Sequence, residues 1–435
     1  MQVTRGMRRQ SMKVARRRTI LPVDALIAGV DLAKKESVVI FSRAADRGRL
    51  GKLTIPTDRT GIERLVAHAA ELRERHGLGE LVVAMEPTSH FWKIVARGLD
   101  AAGVRYVLVQ SFVVAKSREL DNLTRDKTDV RDAGLIADLA AELRFTETQL
   151  PAGPWAELDL LAEARDRRVV ERGAALQEQR ALLELVWPGL LLDCPDLEGT
   201  HLQALLRTGL TPGQIAVMAE SRFLAVLRRR HEPRRFLRWM GRRLQAAARG
   251  VEPTPETTGA VLRWRLAAER VLAADAAIAE LDARMAELLE ATGYAWLRGQ
   301  IRGLGDVGLT NLLALAGDPA RFDDGRCLVK LAGSNPTERS SGERHASGGI
   351  HRRGRPTLRL VAYQAAISLV RYNPDFRARY QALIAEDRPR RLAKKQALVA
   401  VANKLLRTLW ALAVTGVPYR SEIARGEVRP QLIAA

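Results

Sequence analysis

Four acidic residues in the first third of the chain have positions that suit metal-dependent chemistry. Asp31 lies inside the apolar run ALIAGVDL, Glu86 follows the apolar run LVVAM, and Asp129 and Asp132 are three residues apart in DVRDAGLIADLAAEL. On a helix, that spacing turns two side chains toward the same face. Four carboxylates that converge repel one another unless divalent cations neutralise them. An all-oxygen ligand set favours Mg²⁺ or Mn²⁺.

Such a site predicts cleavage or strand transfer on nucleic acid. Two bound ions, roughly 3.5–4 Å apart, can clamp the attacking and leaving oxygens of an in-line phosphoryl displacement. Each acid alone has a plainer interpretation: Asp31 can cap a turn, Glu86 can pair with an arginine, and Asp129 can be the acidic N-terminus of a helix. The order of all four along the chain is what favours a common site.

The pattern around these acids predicts a sheet covered by helices. Three strand-like runs between residues 24 and 55, separated by short polar or Gly-bearing gaps, predict a meander. A helix (59–76), a buried strand that ends at Glu86, a helix (90–102), and then another strand and helix follow. The resulting order, βββαβαβα, is that of RNase H-like folds. A further helix from about residue 128 to 143 closes the domain.

Beyond the PAGP segment at 151–154, the sequence predicts mainly helices. Charged stretches with regularly spaced leucines at 155–187 and 256–291 predict two long helices that pack as an antiparallel, coiled-coil-like pair. IRGLGDVGLTNLLALAGDPARF, from residue 301, predicts two short helices joined by a Gly-rich turn. This helix-hairpin-helix-like element can present backbone N–H groups to a phosphate. The Ser- and Gly-rich stretch that follows is expected to be a loop, before an amphipathic helix and a final basic-capped helix that packs on it.

Composition narrows the class of protein. The chain has 435 residues, 47% of them hydrophobic, and a formal net charge of +20. That length suits two or three domains, and the charge predicts a polyanionic partner. Cys194 and Cys327 form neither a disulfide framework nor a CxxC pair, which favours the cytoplasm. Because no apolar run reaches the roughly 18 residues of a membrane span, a soluble protein without a membrane partner is expected.

Motifs at both ends of the chain resemble one protein family. GVDLAKKESVVIF, VAMEPTSHFW and DKTDVRDAGLIADLA resemble the DEDD domain of IS110-type transposases, which is related to RuvC Holliday-junction resolvases. IRGLGDVGLTNLLALAGDPARF, LAGSNPTERSSGE and GGIHRRGRPTLR are similar to the second characteristic domain of that family. The resemblance extends more loosely over the helical spacer. One difference is GSNP, where many members have a more apolar Gly-Leu-x-Pro run.

The resemblance implies roles for individual residues. The implied carboxylate tetrad is Asp31, Glu86, Asp129 and Asp132. It also implies that a serine of the second domain is the nucleophile, and this serine matches Ser341, with the adjacent Ser340 as the alternative. A metal ion can both activate a serine hydroxyl and neutralise the scissile phosphate. Carboxylates and serine together predict an enzyme that cuts and rejoins DNA.

The same resemblance implies partners. It predicts donor and target DNA and a structured guide RNA encoded by the mobile element. If the carboxylates and Ser341 lie on different domains, an active site can be completed between subunits, so a homo-oligomer, either a dimer or a tetramer, is expected, with the long helices as the assembly device. Contacts to nucleic-acid backbones need Arg and Lys side chains. Candidate phosphate contacts in the second domain are Arg302, Arg339, Arg344, Arg352, Arg353, Arg355 and Arg359. A prokaryotic-type protein associated with the nucleoid is expected.

The predicted domains follow these boundaries. They are a basic, disordered N-terminal arm (1–23), an α/β RNase H-like (RuvC-like) catalytic domain (24–150), a long helical coiled-coil spacer (151–295), a mainly α C-terminal transposase domain with the catalytic serine (296–420) and a tail (421–435).

Three other functions fit part of the pattern. A junction resolvase or DNA invertase that needs no guide RNA would carry the same carboxylates. An actin- or sugar-kinase-like ATPase shares a related strand order, but GVDLAKK lacks the glycine expected after Asp31. A non-enzymatic nucleic-acid-binding protein would use its basic charge alone, with the acids in ion pairs.

Overall fold

The PAGP segment, with two prolines and a glycine in four residues, interrupts regular structure and marks the main division of the chain. Unit 1 is residues 1–150 and unit 2 is residues 151–435. The computed structural model describes residues 5–122, 128–230, 238–341, 344–388 and 391–422.

Unit 1 alternates strands and helices in the predicted order. Its elements are α1 (Arg5–Ile20), β1 (Leu26–Asp31), β2 (Glu36–Arg43), β3 (Arg49–Pro56), α2 (Arg59–His76), β4 (Leu81–Met85), α3 (Phe91–Ala101), β5 (Arg105–Leu108), α4 (Ser111–Asn122) and α5 (Asp129–Ala141). Strands β1, β2 and β3 form the predicted antiparallel meander. Strands β4 and β5 run parallel to β1 on its other side, so the sheet order is β3-β2-β1-β4-β5. The expected succession βββαβαβα is confirmed.

Different helices cover the two faces of this sheet, because side chains alternate along each strand. Leu26 and Val30 of β1 share a buried cluster with residues of α2 and α3, whereas Ile27 lies in the cluster that includes α5. Helix α5 approaches the sheet most closely at Gly29 of β1. A Cβ atom at Gly29 would lie 2.2 Å from the carbonyl oxygen of Ala133. Only glycine fits at this position without moving the helix.

Arg49 of β3 also holds α5 on the sheet. Its Nη2 atom donates to Asp138 Oδ2 at 2.6 Å and to the carbonyl oxygen of Gly134 at 3.2 Å. Burial raises the pKa of the Asp138 carboxyl, although the charge of Arg49 and its hydrogen bond act in the opposite direction. Helix α5 carries two of the four predicted carboxylates, so these contacts help to position them.

The expectation of a disordered basic arm over residues 1–23 is wrong for most of that segment. Residues Arg5–Ile20 form α1, and the following residue, Leu21, is fully buried. Arg17 donates hydrogen bonds to the carbonyl oxygens of Leu143 and Phe145, which follow the end of α5. Carbonyl groups after a helix end need donors from elsewhere, and Arg17 supplies them. The sequence conceals this helix because it has no apolar stripe.

Unit 2 is mainly helical, as predicted. Its elements are α6 (Pro154–Val186), α7 (Leu190–Asp193), α8 (Thr200–Thr208), α9 (Pro212–Val217), α10 (Glu220–Arg230), α11 (Arg238–Ala248), α12 (Thr257–Ala291), α13 (Asp306–Ala316), α14 (Arg326–Leu331), β6 (Pro336–Ser341), β7 (Arg344–Ile350), α15 (Pro356–Tyr372), α16 (Pro374–Ile384) and α17 (Lys394–Thr415).

The long helices α6 and α12 pack against each other along their length. Ion pairs at 2.5–2.8 Å join Glu157 to Arg284, Arg165 to Asp282 and Arg172 to Asp275. The residue numbers rise along α6 as they fall along α12, which confirms the predicted antiparallel pair. Helices α7 to α11 pack at one end of the pair around Trp187 and Trp264. The C-terminal helices pack at the other end, where they bury Leu158 of α6 and Met285 of α12.

Three details of unit 2 differ from the sequence expectations. The predicted Ser- and Gly-rich loop contains a two-stranded antiparallel hairpin, β6-β7. Residues 301–322, expected to form two short helices joined by a Gly-rich turn, contain one α-helix, α13, followed by a three-residue 3₁₀ helix (Pro319–Arg321). Helix α16 was not predicted. Pro374 starts α16, and its N-cap Asn373 accepts hydrogen bonds from the next two backbone N–H groups, of Asp375 and Phe376.

By length and composition, α17 is apolar enough to cross a membrane, the only such helix in the described part of the chain. Its residues Val401 and Leu405 are fully buried in the same cluster as Leu358 of α15, on which it packs as predicted. Its sequence also contains Lys404 and Arg407, which are unfavourable at the centre of a bilayer. The apolar face of α17 is thus explained by the core of unit 2.

Candidate active site

Asp31 and Glu86 lie at the ends of two neighbouring parallel strands. The register of β1 and β4 pairs Val30 with Met85; Asp31 is the last residue of β1, and Glu86 directly follows the last residue of β4. Neighbouring strands are about 4.8 Å apart, so the two backbones are adjacent here. Asp31 is two residues beyond Gly29, which faces α5, and Glu86 is two residues beyond Ala84, which lies in the α5 cluster. Alternation therefore places both half-buried carboxylates on the α5 side of the sheet.

Asp132 is buried in the first turn of α5 and forms an ion pair. Only 1% of the residue is exposed. Arg118 of α4 donates from Nε to Asp132 Oδ1 at 2.7 Å and from Nη2 to Oδ2 at 2.8 Å. This is the bidentate geometry in which an arginine neutralises a carboxylate most effectively. Both oxygen atoms of Asp132 are thus engaged by a guanidinium group.

Asp129 begins α5 and is exposed, in contrast to Asp132. Thr128 is the N-cap residue, and its hydroxyl accepts a hydrogen bond from the backbone N–H of Arg131 at 3.3 Å. An acid in the first turn also stabilises a helix through the helix dipole. Asp129 therefore has a structural role that does not require a metal.

The donor set, all carboxylate oxygens, suits Mg²⁺ or Mn²⁺. Within the described residues, no group of three or more His, Cys, Asp or Glu side chains is close enough to bind one. The predicted convergence of four acids is therefore not found. Asp31 and Glu86 are adjacent and on the side of α5, whereas Asp132 is paired with Arg118.

Arg118 is the residue of this site that sequence reasoning missed. A buried carboxylate requires a cation, since an unpaired buried charge is strongly destabilising. Arg118, in the run SREL, is that cation. It precedes Asp132 by 14 residues, so the sequence does not show that the two side chains meet. Once Asp132 was expected to be buried, a search for a nearby arginine could have identified it.

The two candidate nucleophiles lie in the hairpin. Backbone pairing places Ser340 opposite His345 and Ser341 opposite Arg344 across the two strands. The expected flexible loop is thus regular at its flanks, while residues 342–343 lie outside the described residues. The side chains of residues 338–348, which include those of both serines and of Arg339 and Arg344, also lie outside the described part.

The remaining candidate phosphate contacts fall into two groups. Arg302, Arg352 and Arg353 are exposed. Arg355 instead donates from Nη1 to Asp159 Oδ1 of α6 at 2.8 Å and to the carbonyl oxygen of Leu315, also at 2.8 Å. Arg359 donates from Nη1 to the carbonyl oxygen of Ala332 at 2.7 Å. Arg355 and Arg359 therefore stabilise the packing of unit 2. Their predicted role as phosphate contacts did not anticipate these hydrogen bonds.

Comparison with protein families assigns both ends of the chain. Residues 28–188 match the DEDD model of IS110 transposases, and residues 299–381 match the model described as "Transposase IS116/IS110/IS902 family". The first match contains the four predicted acids, and the second contains the hairpin with its two serines. The matches therefore cover the regions that sequence analysis had singled out.

Relatives align across most of the chain. A 44.8-kDa protein of insertion element IS116 from Streptomyces clavuligerus is 28% identical over 66% of this chain and 71% of its own length. A 43.6-kDa protein of insertion element IS110 from Streptomyces coelicolor is 25% identical over 69% of this chain and 74% of its own. The transposase of insertion sequence IS1111A from Coxiella burnetii is 23% identical over 95% of this chain and 96% of its own. Since two models of one family match separate parts of the chain and relatives align along it, this chain belongs to the IS110 family of transposases.

Proposed function

We propose that this transposase cuts and rejoins DNA with a serine nucleophile and a divalent cation, Mg²⁺ or Mn²⁺, held by the carboxylates of unit 1. The observation that carries the proposal is the position of Asp31 and Glu86 at adjacent strand ends, on the side of the sheet that α5 covers. Asp132 of the same helix would join them once Arg118 has left it, and Asp129 would be the fourth ligand. The cation would neutralise the phosphate that reacts.

We also propose an RNase H-like, RuvC-like fold for residues 24–150. The sheet order β3-β2-β1-β4-β5, with an antiparallel first half and a parallel second half, supports this assignment. Residues 151–295 would be the coiled-coil spacer and residues 296–420 the domain that carries the serine. A protein with these parts would work in the cytoplasm, associated with the nucleoid.

The serine chemistry is a transesterification. The Oγ atom of Ser341 attacks phosphorus, a phosphoserine ester forms, and the departing deoxyribose hydroxyl takes up a proton. Because the ester conserves the phosphodiester bond, a hydroxyl group of another strand can displace serine and restore its proton. Ser340 is the alternative nucleophile.

A guide RNA and self-association complete the proposal. The net charge of +20 suits long contacts with nucleic-acid backbones, which need basic side chains but not base-reading ones. Exposed apolar residues follow both long helices: Leu160, Val170 and Leu185 on α6, and Leu262, Leu266 and Leu272 on α12. Water-exposed apolar rows of this kind support a dimer or tetramer formed through the spacer.

Removing one carboxylate should abolish strand cleavage. We expect Asp31→Asn and Glu86→Gln to lower the rate of cleavage by at least about 10³-fold with Mg²⁺ or Mn²⁺ present, because the cation loses a ligand. Binding of DNA and RNA, measured by fluorescence anisotropy, should stay unchanged. Glu80→Gln is the matched control, since Glu80 pairs with Arg105 before the start of β4. Cleavage at the wild-type rate in Asp31→Asn would disprove the metal site.

The serine assignment has its own test. A covalent protein–DNA adduct, detected by denaturing electrophoresis with end-labelled DNA, should be absent in Ser341→Ala and present in Ser340→Ala. The reverse pattern would move the nucleophile by one residue. Cleavage without an adduct in the wild-type protein would instead favour a resolvase that uses water.

A further inference from the structure

Four basic side chains of unit 2 lie on three of its C-terminal helices. This basic cluster consists of Arg326 of α14, Arg379 of α16, and Lys404 and Arg407 of α17. Lys404 and Arg407 are three residues apart and therefore share a face of α17. Arg326 follows Gly325, where an added Cβ would lie 3.0 Å from the Cα atom of Arg407. Helices α14 and α17 thus bring Arg326 and Arg407 close together, and Arg379 of α16 is near enough for its charge to lower the pKa of both Lys404 and Arg407.

Lys404 is the half-buried member of the cluster, whereas Arg326, Arg379 and Arg407 are exposed. Burial lowers the pKa of Lys404, and the charges of Arg407 and Arg379 lower it further. The pKa of Arg407 is also lowered, by partial desolvation and by repulsion from Arg326 and Arg379, against a weaker attraction from Asp324. The shared direction of these shifts shows that the positive charges repel one another, and a bound anion would relieve that repulsion.

Carboxylates do little to relieve this repulsion. Asp324 lies 3.7 Å from Arg326, and both side chains of that pair are exposed. Among the residues described by the structure, neither Lys404 nor Arg379 forms an ion pair with an acid. Arg407 uses its Nε atom for the carbonyl oxygen of Asn403 at 3.2 Å. The positive charge therefore remains available to an external anion.

We propose that the basic cluster binds the phosphodiester backbone of a nucleic-acid strand. A chain of phosphates presents several anions at regular spacing, so one strand can contact several cations of the cluster at once. The free energy gained by relieving their repulsion then contributes to binding. The proposal rests on the assignment of the chain as a nucleic-acid-binding transposase but not on which residues cleave.

The test compares the salt dependence of binding in variants that lose one charge. We expect Lys404→Gln and Arg407→Gln each to weaken binding roughly 3- to 10-fold and to reduce the slope of log affinity against log salt by about 1. Arg167→Gln is the matched control, because Arg167 of α6 is 74% exposed and makes only a 4.0 Å ion pair with Glu163. It removes the same charge and should leave the slope unchanged.

Two polymers identify the partner. A DNA duplex and an RNA hairpin are titrated separately by fluorescence anisotropy, and a reduced slope with either one supports the proposal and identifies the strand. Lys404→Gln should unfold at the same or a higher urea concentration than the wild type, since a repulsive charge has been removed. A merely structural lysine would lower that midpoint.

Two results would overturn the proposal. One is an unchanged slope in both Lys404→Gln and Arg407→Gln with both polymers; the other is an equal decrease in Arg167→Gln. If the chain does not bind nucleic acid at all, the wild-type protein itself will bind neither polymer, and this result is distinct from an unchanged slope in the variants. If the wild-type protein binds and cleaves while the variants keep its slope, only the assignment of the basic cluster fails.

Discussion

Replacing Arg118 with alanine is expected to lower the free energy of unfolding by about 3–5 kcal/mol. Asp132 is 1% exposed and both of its oxygens accept hydrogen bonds from Arg118. Without the guanidinium group, a buried carboxylate would remain uncompensated, and that is the costliest way to break such a pair. Urea denaturation followed by circular dichroism measures the effect.

The control for this prediction is an exposed ion pair of the same type. Arg59 contacts Glu63 at 2.9 Å on α2, and its side chain is 92% exposed. Because water screens such a pair, Arg59→Ala should change the free energy of unfolding by no more than about 0.5 kcal/mol. If Arg118→Ala is as stable as Arg59→Ala, Asp132 is not buried as a charged group.

The same variant links stability to metal binding. In Arg118→Ala, Mg²⁺ or Mn²⁺ should raise the melting temperature, because a cation that binds the folded state stabilises it. The rise should be lost when Asp31→Asn is added, since the proposed ligand set is then incomplete. A melting temperature of Arg118→Ala that does not respond to either cation would contradict the view that Arg118 stands in for a metal ion.

Replacing Gly29 with alanine should be the second large effect. The new Cβ atom would lie 2.2 Å from the carbonyl oxygen of Ala133 and 2.7 Å from the backbone nitrogen of Ala137. Both are backbone atoms, so α5 as a whole must move. We expect the free energy of unfolding to fall by about 3 kcal/mol, at the upper end of typical overpacking costs. The rate of strand cleavage should fall by more than the loss of folded protein explains. The reason is that a shift of α5 also displaces Asp132, one of the proposed metal ligands.

Gly51→Ala is the matched control for Gly29→Ala. Gly51 is also a strand residue, in β3, but an added Cβ would be 3.8 Å from the nearest atom, Nε2 of His68. That is an ordinary contact distance, so we expect a change within about 0.5 kcal/mol. Equal stability of the two variants in urea would show that α5 does not pack on β1 as closely as described.

Much of unit 1 could be predicted from local chemistry. Helix α2 begins and ends at the predicted residues because Asp58 caps its N-terminus, accepting from the N–H of Gly61 at 3.0 Å, and Gly77 ends it with a φ of 61°. The meander was predictable because three short strand-like runs are separated by brief polar or Gly-bearing gaps. Each of these features depends only on residues that are neighbours along the chain, so the sequence alone is enough to predict it.

Elements held by distant contacts escaped prediction. Helix α1 lacks an apolar stripe and is held by Arg17 and Leu21. The β6-β7 hairpin is rich in Ser, Gly and Arg, which weakens the alternation that predicts strands. In both cases the stabilising hydrogen bonds are made to backbone groups: carbonyl oxygens after α5 for Arg17, and the facing strand for each strand of the hairpin. The types of residue in a segment do not indicate which distant backbone groups it will meet.

The candidate site divides in the same way. The sequence by itself determined that Asp31 and Glu86 end buried strands and that Asp129 and Asp132 share one helix, because hydrophobic periodicity is a local property. Only the tertiary structure decided that β1 and β4 are neighbours in a register that puts Asp31 beside Glu86. It also decided that Asp132 is neutralised by Arg118. Strand neighbours and charge partners depend on which surfaces exclude water together, and that is a property of the folded chain.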